Sequence, residues 1–187
     1  MLNCRTLLLL LGASMLTGLL FGPRAFADKT DDRITALQER YRCPIFAYLA
    51  AIHQTPTPLR LDNRFLIVTI DHRIDQRFYA QCAFDDLDRK MLCEVSSPFF
   101  NPDLQPYFTG TRLEQVQALG YLPRAQDNYF QWRDATTSNA LYDIAGLLVK
   151  TVGYIFDMQP EEGLIFEAPL VTTKPTDGGC ALLAKPH

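Results

Sequence analysis

The sequence has few of the side chains on which enzymes usually rely for catalysis. Only three histidines, His53, His72 and His187, occur in 187 residues. It contains no HExxH pattern, paired CxxC motif, phosphate-binding loop or GxSxG turn. We therefore expect a non-enzymatic protein that uses no cofactor and no metal ion.

The chain also lacks an excess of basic residues. The chain has 18 basic and 21 acidic residues, a net charge of −3 and a pI of about 5.6. This balance disfavours a nucleic-acid partner. A hydrophobic content of 48% disfavours disorder, and the length is typical of one domain.

The first 27 residues contain no acid and have the three parts of a secretory signal peptide. Arg5 precedes the apolar run Leu7–Phe21, and Ala25 and Ala27 are the small residues that a signal peptidase reads. The run has 15 residues, whereas a membrane span needs about 20. We predict cleavage before Asp28 and a periplasmic or secreted protein that is not inserted in the membrane; a retained anchor is the alternative. Cleavage removes two arginines and no acid, which changes the net charge from −3 to −5.

Hydrophobic periodicity predicts five strands and several helices. The strand candidates are Arg64–Asp71, Arg77–Phe84, Met91–Ser97, Tyr129–Asp134 and Leu164–Phe166. Helices are expected from Thr30, with an end or kink at Pro44, and from Thr111 to Gly120. The longest helix is expected to be capped by Ser138 and to run to about Asp157. This order predicts an α+β sandwich. We divide the chain into a signal peptide (1–27), one α+β domain (28–171) and a loose carboxy-terminal tail (172–187).

The second and third strands can be aligned so that their cysteines face each other. If Phe84 lies opposite Met91, then Cys82 lies opposite Cys93 on the same apolar face. Facing Cα atoms of antiparallel strands are about 4.5–5.5 Å apart, which is within reach of a disulfide. We predict a Cys82–Cys93 bridge, with two buried free thiols as the alternative.

Cys43 and Cys180 then form the remaining pair of the exported chain. An even number of cysteines in an oxidising compartment is typical of disulfide bonding. Cys43 follows Arg42 and precedes Pro44, and we interpret it as a structural thiol rather than a nucleophile.

Strand alternation places Tyr79, Gln81 and Trp132 on the side of their strands that carries polar neighbours. If these residues project from one face of the sheet, they could line a groove for an extended or helical peptide. Glu94 also alternates away from the apolar residues, which predicts a solvent-facing or interface carboxylate. Core packing is the alternative for the aromatic residues.

Other groupings favour ordinary structure over chemistry. Asp71, His72 and Asp75 could hold a metal, but their spacing is that of a solvated turn. The loop 102–108 could present a protruding acidic or aromatic residue, as a secreted inhibitor or immunity-type protein would. A hydrolase or redox enzyme is a further alternative.

Three segments resemble a known family: CEVSSPFF at 93–100, LGYLPRAQDNYFQWRD at 119–134 and ALYDIAGLLVKTVGYIF at 140–156. Together with the order of elements, they make the region from Asp31 to Asp157 similar to the TY-Chap group of type III secretion chaperone-like domains, which is related to the CesT and YbjN folds. The resemblance implies the order α-β-β-β-α-β(β)-α, with helices on one face of an antiparallel sheet. It also implies a role in binding peptide segments or partner proteins, and a homodimer.

Overall fold

A computed structural model describes residues 24–55, 63–76, 78–85, 89–124, 126–175 and 180. The predicted signal peptide lies outside these residues except for positions 24–27, and most of the predicted tail beyond residue 175 lies outside them as well. No helix among the described residues is long and apolar enough to cross a membrane.

The described chain has an α+β fold, as predicted. Its helices are α1 (Arg24–Gln54), α2 (Gly110–Ala118) and α3 (Ser138–Tyr154). Its strands are β1 (Phe65–Ile70), β2 (Tyr79–Phe84), β3 (Lys90–Val95), β4 (Tyr129–Asp134) and β5 (Leu164–Glu167). Two 3₁₀ helices cover Asp71–Gln76 and Pro102–Phe108.

The five strands form one antiparallel sheet in the order β4-β3-β2-β1-β5. Strands β1 to β4 follow one another across the sheet, and β5 then returns to pair with β1. The optional extra strand that the resemblance implied before the last helix is not found in the described residues. The fifth strand instead follows α3, because Leu164–Glu167 pairs with the free edge of β1.

One face of the sheet carries the core. The buried side chains of the three central strands on this face are Leu66, Val68, Ile70, Ala80, Cys82, Phe84, Met91, Cys93 and Val95. Helices α1 and α3 pack against each other and cover this face. The expected arrangement, with helices on one side of the sheet, is confirmed.

We expected an end or a kink at Pro44, and helix α1 does not end there. The helix continues to Gln54 because the residues around the proline are buried: Tyr41, Ile45, Phe46 and Leu49. A proline inside a helix costs about 3 kcal/mol. Each large apolar side chain that is fully buried contributes about 1.5–3 kcal/mol, so the packing outweighs the lost hydrogen bond.

The predicted helix starts are displaced. Helix α1 begins at Arg24, six residues before Thr30, and α2 begins at Gly110, one residue before Thr111. Thr137, rather than Ser138, caps α3, since its side chain accepts a hydrogen bond from the Ala140 amide. Helix α2 begins at Gly110 after Thr109, without a side-chain cap. At its other end Gly120 has a φ of +92°, which is the left-handed conformation expected of a glycine that follows a helix.

The two predicted disulfides are both present. Cys82 faces Cys93 in the β2–β3 pair, with the Cα atoms 4.1 Å apart and both side chains fully buried. Cys43 on α1 is joined to Cys180, which anchors a point of the predicted carboxy-terminal tail to the helical layer.

Candidate functional site

In the part of the chain that the structure describes, the face of the sheet opposite the helices is open to solvent. We call this surface the open face, and its residues are Phe65, Ile67, Thr69, Tyr79, Gln81, Ala83, Lys90, Leu92, Glu94, Phe130, Trp132, Asp134, Ile165 and Glu167. None of the described helices lies over it. Its side chains are half-buried or exposed, whereas the alternate residues of the three central strands are buried.

The strand registers arrange these residues in rows across the sheet. One row is wholly apolar and consists of Phe65, Ala83, Leu92 and Trp132. The next row consists of Glu167, Ile67, Gln81, Glu94 and Phe130, three of which are polar. The open face therefore combines one wholly apolar row with a mixed row beside it.

Several large apolar side chains on or beside this face are strongly exposed. Trp132 is 53% exposed and Leu122, which bridges to Phe130 at the edge of β4, is 58% exposed. Ile165 at the opposite edge is 38% exposed. Apolar side chains gathered on one surface in this way are typical of interaction sites.

The structure places all three predicted binding residues on the open face. Gln81 Nε2 donates a 2.6 Å hydrogen bond to Glu94 Oε2, and the Tyr79 hydroxyl accepts one of 3.1 Å from Asn128 Nδ2. Trp132 lies two strands away from Tyr79 and four positions along, a separation of roughly 16 Å. Tyr79 and Trp132 therefore share one face without lining the same pocket.

A cavity of about 410 Å³ opens at the Tyr79 end of the open face. It is lined by Tyr79, Glu94, Ser96, Ser97, Phe100, Asn101, Asp127 and Asn128. Two hydrogen bonds hold its walls together: the Ser97 amide donates to Asn128 Oδ1 at 3.2 Å, and the Ser97 hydroxyl donates to the Asp127 carbonyl at 2.8 Å. We call this space the Tyr79 cavity.

The Tyr79 cavity carries two carboxylates and no basic side chain. Asp127 is paired with Arg124, whose Nη1 atom is 3.2 Å from Asp127 Oδ2. Glu94 is half-buried and accepts its hydrogen bond from the neutral amide of Gln81. Within the described part of the chain, no lysine, arginine or histidine forms an ion pair with Glu94.

A second cavity, of about 460 Å³, lies on the helical side of the molecule between α1 and α3. Its charged residues are Arg42, Arg133, Asp143 and Lys150. Arg42 Nη2 already lies 3.0 Å from Asp143 Oδ1, and the guanidinium carbon of Arg42 lies 3.7 Å from the centre of the Tyr142 ring. Two of these four charged residues thus pair with each other within the fold.

The two other groupings singled out in the sequence serve structure. His72 Nε2 and Arg73 Nη2 each lie 2.9 Å from Glu162 Oε1. These contacts connect the 3₁₀ helix Asp71–Gln76 to the segment before β5. In the segment 102–108, Tyr107 packs on Phe78, and Phe108 is buried. The aromatic residues of this segment therefore do not protrude. No group of three metal-binding side chains occurs within the described ranges.

Sequence reasoning missed part of the site. Phe130 alternates with Trp132 along β4, so its place on the open face could have been read from the same pattern. Phe99 and Phe100, each 54% exposed, gave no such signal because they follow the strand in an irregular loop. Asn128 was also missed, since only the folded chain brings it to Tyr79.

Comparison of the chain with protein-family models, curated proteins and solved structures finds no match.

Proposed function

We propose that this protein is a non-enzymatic, exported binding protein that holds a peptide segment or a partner protein on the open face of its sheet. The proposal rests on one observation above all: none of the helices in the described part of the chain covers one face of the five-stranded sheet, and a wholly apolar row crosses that face. Burying apolar surface yields about 25 cal/mol per Å², so the exposed side chains supply a driving force for association.

The form of the face fits an elongated ligand. The apolar row from Phe65 to Trp132 crosses four strands, which corresponds to roughly 14 Å at about 4.8 Å per strand. Aromatic side chains such as Trp132 are enriched where one protein binds another. A peptide lying along this row would contact several side chains at once.

The resemblance to TY-Chap domains supports the proposal from a different direction. An antiparallel sheet with helices on one face is what that resemblance implied, and it implied binding of peptides or proteins. We further propose that the chain is exported, because two disulfides are typical of proteins that leave the reducing cytoplasm.

A site-specific crosslinking experiment tests the function. A photo-reactive amino acid is placed at Leu122 or Ile165, both beside or on the open face, and at Lys150, an exposed residue of α3, as the matched control. The protein is expressed from its full-length gene and irradiated in intact cells. We expect one discrete adduct from positions 122 and 165 and none from position 150.

The adduct must also depend on the apolar row. Introducing Trp132→Arg into the Leu122 probe should remove the adduct, while Asp143→Asn on the helical side should leave it unchanged. Adducts of equal yield from position 150, or an adduct at position 122 that survives Trp132→Arg, would overturn the proposal.

A further inference from the structure

We propose that the Tyr79 cavity receives a basic side chain, lysine or arginine, from the peptide or protein that covers the open face. This inference rests on the proposed function and specifies the chemistry of its ligand. Three observations support it. A carboxylate in the cavity has no ion-pair partner among the described residues, and aromatic side chains line the same cavity. A nearby arginine of the chain already contacts both a carboxylate and an aromatic ring.

The first observation is Glu94. It is the second-last residue of β3, is half-buried, and receives a hydrogen bond of 2.6 Å from the uncharged Gln81 amide. A carboxylate withdrawn from water is stabilised most by a cation, and among the described residues none pairs with Glu94. A basic group that entered the cavity would supply this missing partner.

The second observation is the composition of the walls. Tyr79 and Phe100 line the same cavity as Glu94, and Phe100 is 54% exposed. The stem of a lysine or arginine packs against apolar surface while its charged end interacts with ring faces and carboxylates. A volume of about 410 Å³ is within the range of sites that hold small ligand groups.

The third observation is an internal precedent. Arg124 lies beside the cavity with its Nη1 atom 3.2 Å from Asp127, and its guanidinium carbon is 5.8 Å from the centre of the Phe130 ring. A carboxylate and an aromatic ring of this surface thus already hold one basic side chain. Glu94 and Tyr79 offer the same combination to a ligand.

The charge of the surrounding strands favours the same ligand. The strand residues of the open face include three acids, Glu94, Asp134 and Glu167, and one base, Lys90. A basic segment would therefore be attracted to this face, and an acidic one would be repelled.

The experiment uses small probes in place of the unidentified partner. The ¹⁵N-labelled protein, produced from its full-length gene with both disulfides intact, is titrated with Nα-acetyl-lysine methylamide, Nα-acetyl-arginine methylamide and the uncharged Nα-acetyl-norleucine methylamide. We expect saturable shifts of the Tyr79, Ser97 and Asn128 amide signals with the two basic probes, and no saturation with norleucine.

Two variants distinguish an effect of the Glu94 carboxylate from an effect of the overall negative charge of the open face. Glu94→Gln keeps the shape of the side chain and should weaken binding of the basic probes about tenfold, since hydrogen bonds to charged groups are the stronger class. Glu167→Gln removes a charge from the same row outside the cavity, and should change the affinity less than twofold. Unchanged signal dispersion in both spectra shows that the variants are folded.

Three outcomes would overturn the inference. The first is equal signal shifts with the lysine and norleucine probes, and the second is an equal loss of probe affinity in both variants. The third is the absence of shifts at Tyr79, Ser97 and Asn128. These outcomes are distinct from a failure of the proposed function. If crosslinking through the open face depends on Trp132 but Glu94→Gln has no effect on the probes, the face binds a partner without a basic anchor.

Discussion

Gly153 of α3 lies so close to Ile34 of α1 that a Cβ atom on the glycine would be 2.5 Å from Ile34 Cδ1. We predict that Gly153→Ala lowers the free energy of unfolding by about 1–3 kcal/mol, because overpacking outweighs the better helix propensity of alanine. Chemical denaturation measures the change.

The matched control for this prediction is a double variant. Ile34→Val removes the Cδ1 atom that would collide, so Gly153→Ala should cost markedly less in the Ile34→Val background than in the natural sequence. Equal costs in the two backgrounds would show that the collision with Ile34 Cδ1 is not the cause.

Trp132 is the single tryptophan of the chain and is 53% exposed on the open face. We predict that the free protein emits at the wavelength of solvated indole and that acrylamide quenches it efficiently. A ligand that covers the apolar row should shift the emission to the blue and protect it from quenching. Emission typical of a buried indole in the free protein would contradict the exposed position.

The two disulfides differ in burial, and we predict that they are reduced in order. Cys82 and Cys93 are fully buried, whereas Cys43 and Cys180 are partly exposed. Titration with dithiothreitol under native conditions, followed by alkylation and mass spectrometry, should label Cys43 and Cys180 first. Labelling of Cys82 at the same reductant concentration would contradict this order, as would simultaneous loss of both bonds.

Tyr121 makes stability depend on alkaline pH. Burial raises the pKa of Tyr121 from 10.0 to about 12, with its hydroxyl 2.9 Å from that of Thr151. Because the pKa is higher in the folded state, this contribution is fully present below pH 10 and is lost as the pH rises from 10 towards 12. At pH 11 the loss is about 1.4 kcal/mol.

Tyr121→Phe should remove this dependence on pH. The variant loses the hydrogen bond to Thr151, which lowers its stability by a similar amount at every pH. The decline in unfolding free energy between pH 9 and pH 11, measured by urea denaturation, should therefore be about 1.4 kcal/mol smaller than in the natural protein. Identical declines would contradict the assignment to Tyr121.

The sequence predicts those parts of the fold that local patterns determine. The β2–β3 register followed from matching two apolar faces, and it placed Cys82 opposite Cys93 as the structure does. An end of the helix was one of two outcomes expected at Pro44, because the local cost of a proline is visible in the sequence, while the burial of Ile45 and Leu49 against other elements is not. The pairing of β5 with β1 links distant segments and has no local signature.

The candidate site likewise has a part that the sequence predicts and a part that it does not. Tyr79, Gln81 and Trp132 share a face because strand alternation is a local property, and this could be predicted once the strands were known. The cavity could not, because it forms where Ser97 meets Asp127 and Asn128, about thirty positions apart in the chain. Its enclosure depends on hydrogen bonds between two loops that no periodic pattern specifies.

The Cys43–Cys180 bond changes the result of a proteolytic cut in this chain. It closes residues 43–180 into a covalent ring. A single peptide-bond cleavage anywhere inside that ring leaves both fragments attached, so the nicked protein migrates as one species on a non-reducing gel. The open face would then stay joined to its helical support after a first proteolytic cut.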